Sequence, residues 1–208
     1  SGFTASVGGQ LSQVEGLTVL PGFADMLGLQ AVQGNLATAL DRPDSFAISE
    51  AAALRLFATT NVVGRTVKAE GHVVRVGAVV RTPPANTTIP YDVLLGVNSV
   101  LMEKGFREQM LTGEQGWPGK LLLRMHPGAS VPDITFALQL AVDNAPQLNR
   151  LPPEVRERLG KRKTMDIALS PLREAYFDHE VEGNFIAGKG DRANRAVVVT
   201  SLDEAYTA

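Results

Sequence analysis

The sequence has 208 residues and no cysteine. That absence removes a disulfide framework, cysteine-ligated zinc and thiol nucleophiles together. It suits an oxidising compartment, where a stray thiol is a liability, and equally a small bacterial cytosolic domain. Histidine is nearly as scarce: His72, His126 and His179 are the whole supply, and no pair has the i, i+4 spacing of a helical metal site. The formal net charge is -2 and aromatics are 6% of residues. No basic face with interleaved aromatics results, so nucleic acid is not an expected partner. No apolar run approaches the roughly 18 residues a membrane-spanning helix needs. The opening Ser1-Gly2-Phe3-Thr4 has neither the basic nor the apolar stretch of a signal peptide. The chain begins and ends abruptly and is expected to be an excised segment, so the missing spans describe the segment rather than the native protein.

Sites for catalysis are also missing. Gly183-Asn184-Phe185-Ile186-Ala187-Gly188-Lys189 follows a phosphate loop through its lysine, but Gly190 stands where a Ser or Thr must meet magnesium. Asp178-His179-Glu180 with Asp191 could gather around a metal, yet solvated loop charge explains them as well. No Gly-x-Ser-x-Gly occurs, so the strained nucleophile turn of a hydrolase is absent. The expectation is a non-enzyme with no cofactor and no metal.

What is present is an ordinary globular mixture, 44% hydrophobic and 20% charged, enough for one domain or two small subdomains. Residues 1–20 hold at most one short strand, near Leu17-Thr18-Val19-Leu20. Pro21-Gly22 turns the chain, and Phe23, Met26 and Leu27 suit a helical turn or two. Ser45-Phe46-Ala47-Ile48 reads as a strand, with Ser49 capping a helix from Glu50 to Phe57 that buries Ala53, Leu54 and Phe57. His72 to Arg81 is valine-rich, with Val74, Val76, Ala78 and Val80 on one face and Gly77 marking a bulge or close packing. Pro83-Pro84 stops it, and Tyr91 to Leu95 is a further strand. Leu121 to Met125 is a strand, His126-Pro127-Gly128 a turn, and Ser130 with Asp133 opens a helix. That helix buries Ile134, Ala137, Leu138 and Ala141. Residues 146–163 suit an exposed helix, with Glu154 and Arg158 at i, i+4, and Met165 to Leu169 is a returning strand.

The order of features at residues 45–95 is specific. Phe46-Ala47-Ile48-Ser49-Glu50-Ala51-Ala52-Ala53-Leu54-Arg55-Leu56-Phe57, then Val63-Gly64-Arg65-Thr66-Val67, then Val74 to Arg81, then Pro83-Pro84-Ala85-Asn86-Thr87-Thr88-Ile89 resemble, in series, the MacB-like and FtsX-like periplasmic core domain of bacterial ABC permeases. Phe23 to Gly28 with Gly34 resembles that family's entry, although Asn35 replaces its usual charged residue. Leu169-Ser170-Pro171-Leu172-Arg173-Glu174-Ala175-Tyr176-Phe177 resembles its exit towards a second transmembrane helix.

The resemblance implies a mixed α/β (α+β) fold with two subdomains. A discontinuous porter-like βαβ part would take residues 1–44 and 117–208, and an inserted sheet-rich part 45–116. It implies a place in the periplasm, anchored in the bacterial inner membrane by flanking helices. It also implies a dimeric permease that couples a cytoplasmic ABC ATPase, on the same or a separate chain, to efflux, other transport or mechanotransmission. A periplasmic adaptor or an outer-membrane partner would complete it. The alternative is a non-transporting interaction module that docks a periplasmic partner. Ser49, Phe57, Gly64, Gly77, Pro83, Pro84, Asn86, Trp117, Pro171 and Leu172 are the structural or interaction candidates, with Trp117 placed at the subdomain hinge.

Overall fold

The computed structural model describes residues 2–85, 87, 89–103, 105–108, 121–144, 157, 166–171 and 195–200. The chain divides into two compact units, Ser1–Leu111 and Thr112–Ala208.

The first unit opens with two antiparallel strands, β1 (Gly2–Val7) and β2 (Gln10–Val19). Gly8 and Gly9 join them with φ of 57° and 88°, the paired left-handed residues that match the twist of a two-residue hairpin. The sequence reading allowed one short strand here and is corrected. Gly-Gly flanked by alternating residues was the available signal. The chain continues through α1 (Phe23–Met26), β3 (Ala31–Gly34), α2 (Leu36–Asp41), β4 (Ser45–Ser49), α3 (Glu50–Phe57), β5 (Thr66–Ala69), β6 (His72–Val80) and β7 (Val93–Gly96).

These strands form one sheet in the order β3-β6-β4-β7-β2-β1-β5, and β5 pairs again with β6. The second pairing closes six of the strands into a barrel, with β3 added outside the ring. Every strand of the ring sends residues into one buried cluster: Ala5, Val14, Phe46, Ile48, Val67, Val74, Val76, Val79, Val93 and Leu95. From α3, Ala52 and Ala53 join it. Closure removes sheet edges that would otherwise be open to pairing. A second cluster lies on the outer side, where Leu36 and Ala39 of α2 meet Val19, Ala47, Ala78, Val80, Tyr91 and Leu94. Central strands are therefore apolar on both faces, and all five residues of β4 are buried.

The phase of β6 changes midway. Phe46 pairs with Val76 but Ala47 pairs with Ala78, so Gly77 is an extra residue opposite the β4 ladder. Val74, Val76 and Val79 face the barrel interior, while Ala78 and Val80 face α2. The single face expected for Val74, Val76, Ala78 and Val80 is thus corrected, because a one-residue bulge flips every side chain beyond it. Gly77 serves close packing too: a Cβ there would overlap the Ser45 hydroxyl and Ala39. Gly96 is tighter still, since its Cβ would overlap the carbonyl of Leu40 at the end of α2.

Residues 2–34 and 45–96 share this sheet, whereas the sequence reading assigned them to different subdomains. Periodicity marks which residues extend, not which strands pair, and here the pairing crosses position 44.

The second unit contains β8 (Leu121–Leu123), α4 (Val131–Asp143), β9 (Asp166–Pro171) and β10 (Arg195–Thr200). Its sheet is parallel, in the order β8-β10-β9. Strand β10 was not anticipated, although Val197 to Thr200 is β-branched. Ser130 caps α4 by accepting from the Asp133 N–H at 3.3 Å. Gln139 and Val142 are its buried residues, with Leu138 packed beside Val142 and Ile167. Ala137 and Ala141 are exposed, so the helix is turned from the expected face. The reason is Gln139, whose Oε1 accepts from the Ile167 N–H at 2.9 Å and draws its polar side chain inward. Residues 146–156 and 158–163 lie outside the described residues.

Gly96→Ala should cost about 3 kcal/mol of stability, and Gly77→Ala about 2 kcal/mol, because backbone and packed side chains must give way. Urea denaturation of the two variants against the parent checks this.

Candidate functional site

Of the residues singled out from the sequence, Pro83 and Pro84 follow shortly after the end of β6, and Ser49 starts α3 where β4 ends. The helix starts there because Ser49 is extended (φ -71°, ψ 152°) and its hydroxyl accepts from the Ala52 N–H. That is the expected cap, satisfying one of the orphan donors of the first turn. A second cap was not foreseen: Thr82 Oγ1, just beyond β6, accepts from the Ala51 N–H at 2.9 Å. The helix closes on Ala58 in the left-handed region (φ 57°), whose N–H returns to the Leu54 carbonyl.

The side of α3 facing the barrel carries Ala52 and Ala53, with Leu56 and Phe57 packed against the same core. Leu54 is 54% exposed, contrary to expectation. The 49/52/53/56 spacing is the inward row, and Leu54 lies off it. Phe57 is also covered by Arg65, whose guanidinium carbon lies 5.7 Å from the ring centroid, within cation–π range. Gly64 (φ 87°) forms the turn that brings Arg65 there. Its N–H donates to the Val76 carbonyl at 2.8 Å, and Val76 N–H donates to the Arg65 carbonyl at 2.9 Å. Gly64 and Arg65 thus stand together opposite Val76, a bulge with a left-handed glycine beside the β5–β6 pairing.

Pro83 and Pro84 lead into the β6–β7 connection, where Thr87 N–H donates to the Pro84 carbonyl. The connection returns at Asp92, the residue sequence reasoning missed. Asp92 Oδ2 accepts from Arg55 Nη2 at 2.7 Å and from the Glu15 N–H at 2.9 Å. Its backbone N–H donates to the Glu15 carbonyl, and its carbonyl accepts from the Ser49 N–H, both at 2.8 Å. One residue thus ties β2, β4 and α3 to the start of β7. Its partners stand 37 and 77 positions away, so no local spacing could have flagged it.

Gly77 belongs instead to the packing under α2. Asn35 at the start of α2 accepts from the Thr38 N–H through its side chain, so it retains a capping role where the resembled family has a charged residue. Pro171 ends β9 in the second unit. Asn86, Trp117 and Leu172 lie outside the described residues, as do the glycine-rich stretch 183–190 and Asp178, His179, Glu180 and Asp191. Nearer the first unit's surface, Arg42 beside Asp44 holds that carboxyl below its ordinary range by a side-chain hydrogen bond. Both groups are exposed, so water screens the pair.

The barrel interior is filled. A void of about 10 Å³ lies among Phe3, Ala5, Val14, Phe46, Leu56 and their neighbours, no more than one water's room. Among the described residues no group of three or more His, Asp or Glu could hold a metal. No described helix is long and apolar enough to cross a membrane. The geometry presents a packed body with side-chain hydrogen bonds around α3.

Residues 1–141 match the MacB-like periplasmic core domain. The chain belongs to that family of ABC-transporter permease domains. A solved domain of a protein assigned as a permease, from Porphyromonas gingivalis, shares the fold at 19% identity with a TM-score of 0.51. That match covers 78% of this chain and 67% of the other. The periplasmic region of MacB from Actinobacillus actinomycetemcomitans aligns at 23% identity and a TM-score of 0.41, over 49% of this chain and 46% of its own. The extracellular domain of the noncanonic ABC-type transporter YknZ from Gram-positive bacteria aligns at 17% identity and a TM-score of 0.39, over 56% of each chain. No curated protein matches the chain.

The two ends of α3 should respond with opposite sign. Ser49→Ala should lose about 1 kcal/mol with the cap. Ala58→Gly should gain about 1 kcal/mol by relieving a left-handed Cβ. Thermal or urea unfolding of the two variants measures both.

Proposed function

We propose that this domain is the extracytoplasmic, non-catalytic part of an ABC permease, relaying cytoplasmic ATP hydrolysis to export or to a partner outside the membrane. The observation that carries the reading is the family match over residues 1–141. The packed barrel supports it: a body that passes on displacement needs a core that does not deform, and close-packed interiors transmit strain. ATP chemistry belongs in this reading to the cytoplasmic ATPase, on the same chain or another, and the flanking membrane helices carry the motion. The working unit is a dimer in the inner membrane, with this domain in the periplasm. The rim around α3, with exposed Leu54 and the prolines at 83 and 84, is the surface offered to a periplasmic adaptor or cargo.

Purification of the protein with its membrane segments in mild detergent, followed by mass spectrometry, tests this. An ABC ATPase fused to it or co-purifying is the expected result, and a clean preparation without one overturns the reading. Deleting residues 45–116 would be a poor probe of coupling, since β4 to β7 are four of the six barrel strands. Leu54→Glu is better. It should leave the unfolding midpoint within about 0.5 kcal/mol of the parent, as an exposed change does, while lowering partner-stimulated ATPase in reconstituted vesicles.

A further inference from the structure

Helix α4 is apolar on two sides. One side packs on β9: Val142 meets Ile167 with Leu138 beside them, and Gln139 accepts from the Ile167 N–H. The other side holds Phe136, Ala137, Leu140 and Ala141, all exposed. Phe136 is 71% exposed and Leu140 53%. A surface helix ordinarily turns a charged or polar face outwards, and a helix apolar all round is a buried one.

The charges along this face stand at its ends. Asp133, Phe136, Leu140 and Asp143 follow at i, i+3, i+7 and i+10, one row along the helix. Ten residues at 1.5 Å rise set the two acids about 15 Å apart along the axis. Asp133 suits the positive end of the helix dipole, whereas Asp143 stands at the negative end, where an acid is unfavourable. Gln139 Nε2 donates to Asp143 Oδ1 at 2.7 Å, which occupies one of its two oxygens. Among the described residues no cation pairs with either acid.

Charge selects what this row can accept. A second copy would bring acid against acid, Asp133 on Asp143 if antiparallel and each on itself if parallel, and like charges facing one another oppose association. An anionic lipid surface would repel both ends. A helix with an apolar ridge and a Lys or Arg at each end of it answers every group on the row.

We propose that the outer face of α4 is a docking site for an amphipathic, basic-ended helix of a partner protein. Its apolar ridge lies on Phe136 and Leu140, and its two cations meet Asp133 and Asp143. Recognition of this kind reads anchors at i, i+3 and i+7, with the aromatic as the main anchor. The proposal rests on α4 alone and stands or falls separately from the permease reading.

Selection on the 208-residue chain tests it. The probe is a displayed library of helical peptides with a fixed Leu/Ala ridge and two flanking positions, ten residues apart, free to be Lys, Gln or Glu. Binders should emerge with Lys at both flanks. Phe136→Ala should weaken them about tenfold, as loss of an aromatic anchor does. Asp133→Asn and Asp143→Asn should each weaken them about fivefold, the upper range for an exposed ion pair, and Asn at 143 keeps an acceptor for Gln139. All three variants should unfold at the parent's urea midpoint. An absence of binders, binders with neutral or acidic flanks, or binders indifferent to Phe136→Ala would each overturn the proposal. Sedimentation of the chain alone supplies the last arm: a dimer that Phe136→Ala dissolves would assign the face to a second copy and refute it.

Discussion

Strand β6 makes this domain a barrel. It pairs in parallel with β4, antiparallel with β5 along its first half and antiparallel with β3 along its second. A nine-residue strand can serve both an interior and a helix-covered exterior only if its side chains change face along its length. The bulge at Gly77 supplies that change, turning Val79 inward and Ala78 and Val80 outward. The same glycine, with Gly96, clears the ground on which α2 rests. Closure, the filled interior and the seat of α2 all depend on this one irregularity, where a side chain has no room.

From that frame the rim follows. Because β4 and β6 run parallel, their ends lie together, and the segments leaving them, α3 and the β6–β7 connection, must share the barrel's mouth. Their backbone groups there have no ladder to join, so side chains satisfy them: Ser49 and Thr82 for α3, Asp92 for β2. A packed core lies beneath, and side-chain hydrogen bonds to backbone N–H groups lie above it.

Much of the local structure was legible. Ser49 before Glu50 announced α3, the valine run announced β6, Gly77 announced its bulge, and Ser130 with Asp133 announced α4. Each of those signals lies within a few residues of the feature it specifies. Errors arose where a long-range partner decides. Leu54 is apolar but lies off the row facing the barrel. Ala137 and Ala141 gave way to Gln139, which is buried because Ile167 needs an acceptor. The candidates at the rim were found as motifs, whereas Asp92, which joins them, has no motif.

By itself, then, the sequence determined where helices start, where strands run, which chemistries lack their residues, and which family's order of features the chain follows. These rest on spacing, capping and composition, all encoded over short distances. Only the tertiary structure decided that residues 2–34 and 45–96 share one sheet, that the sheet closes through β5 and β6, and that Asp92 ties three elements together. Strand pairing, and ion pairs across 37 positions, depend on which surfaces the whole chain can bury at once, and no local pattern records that choice.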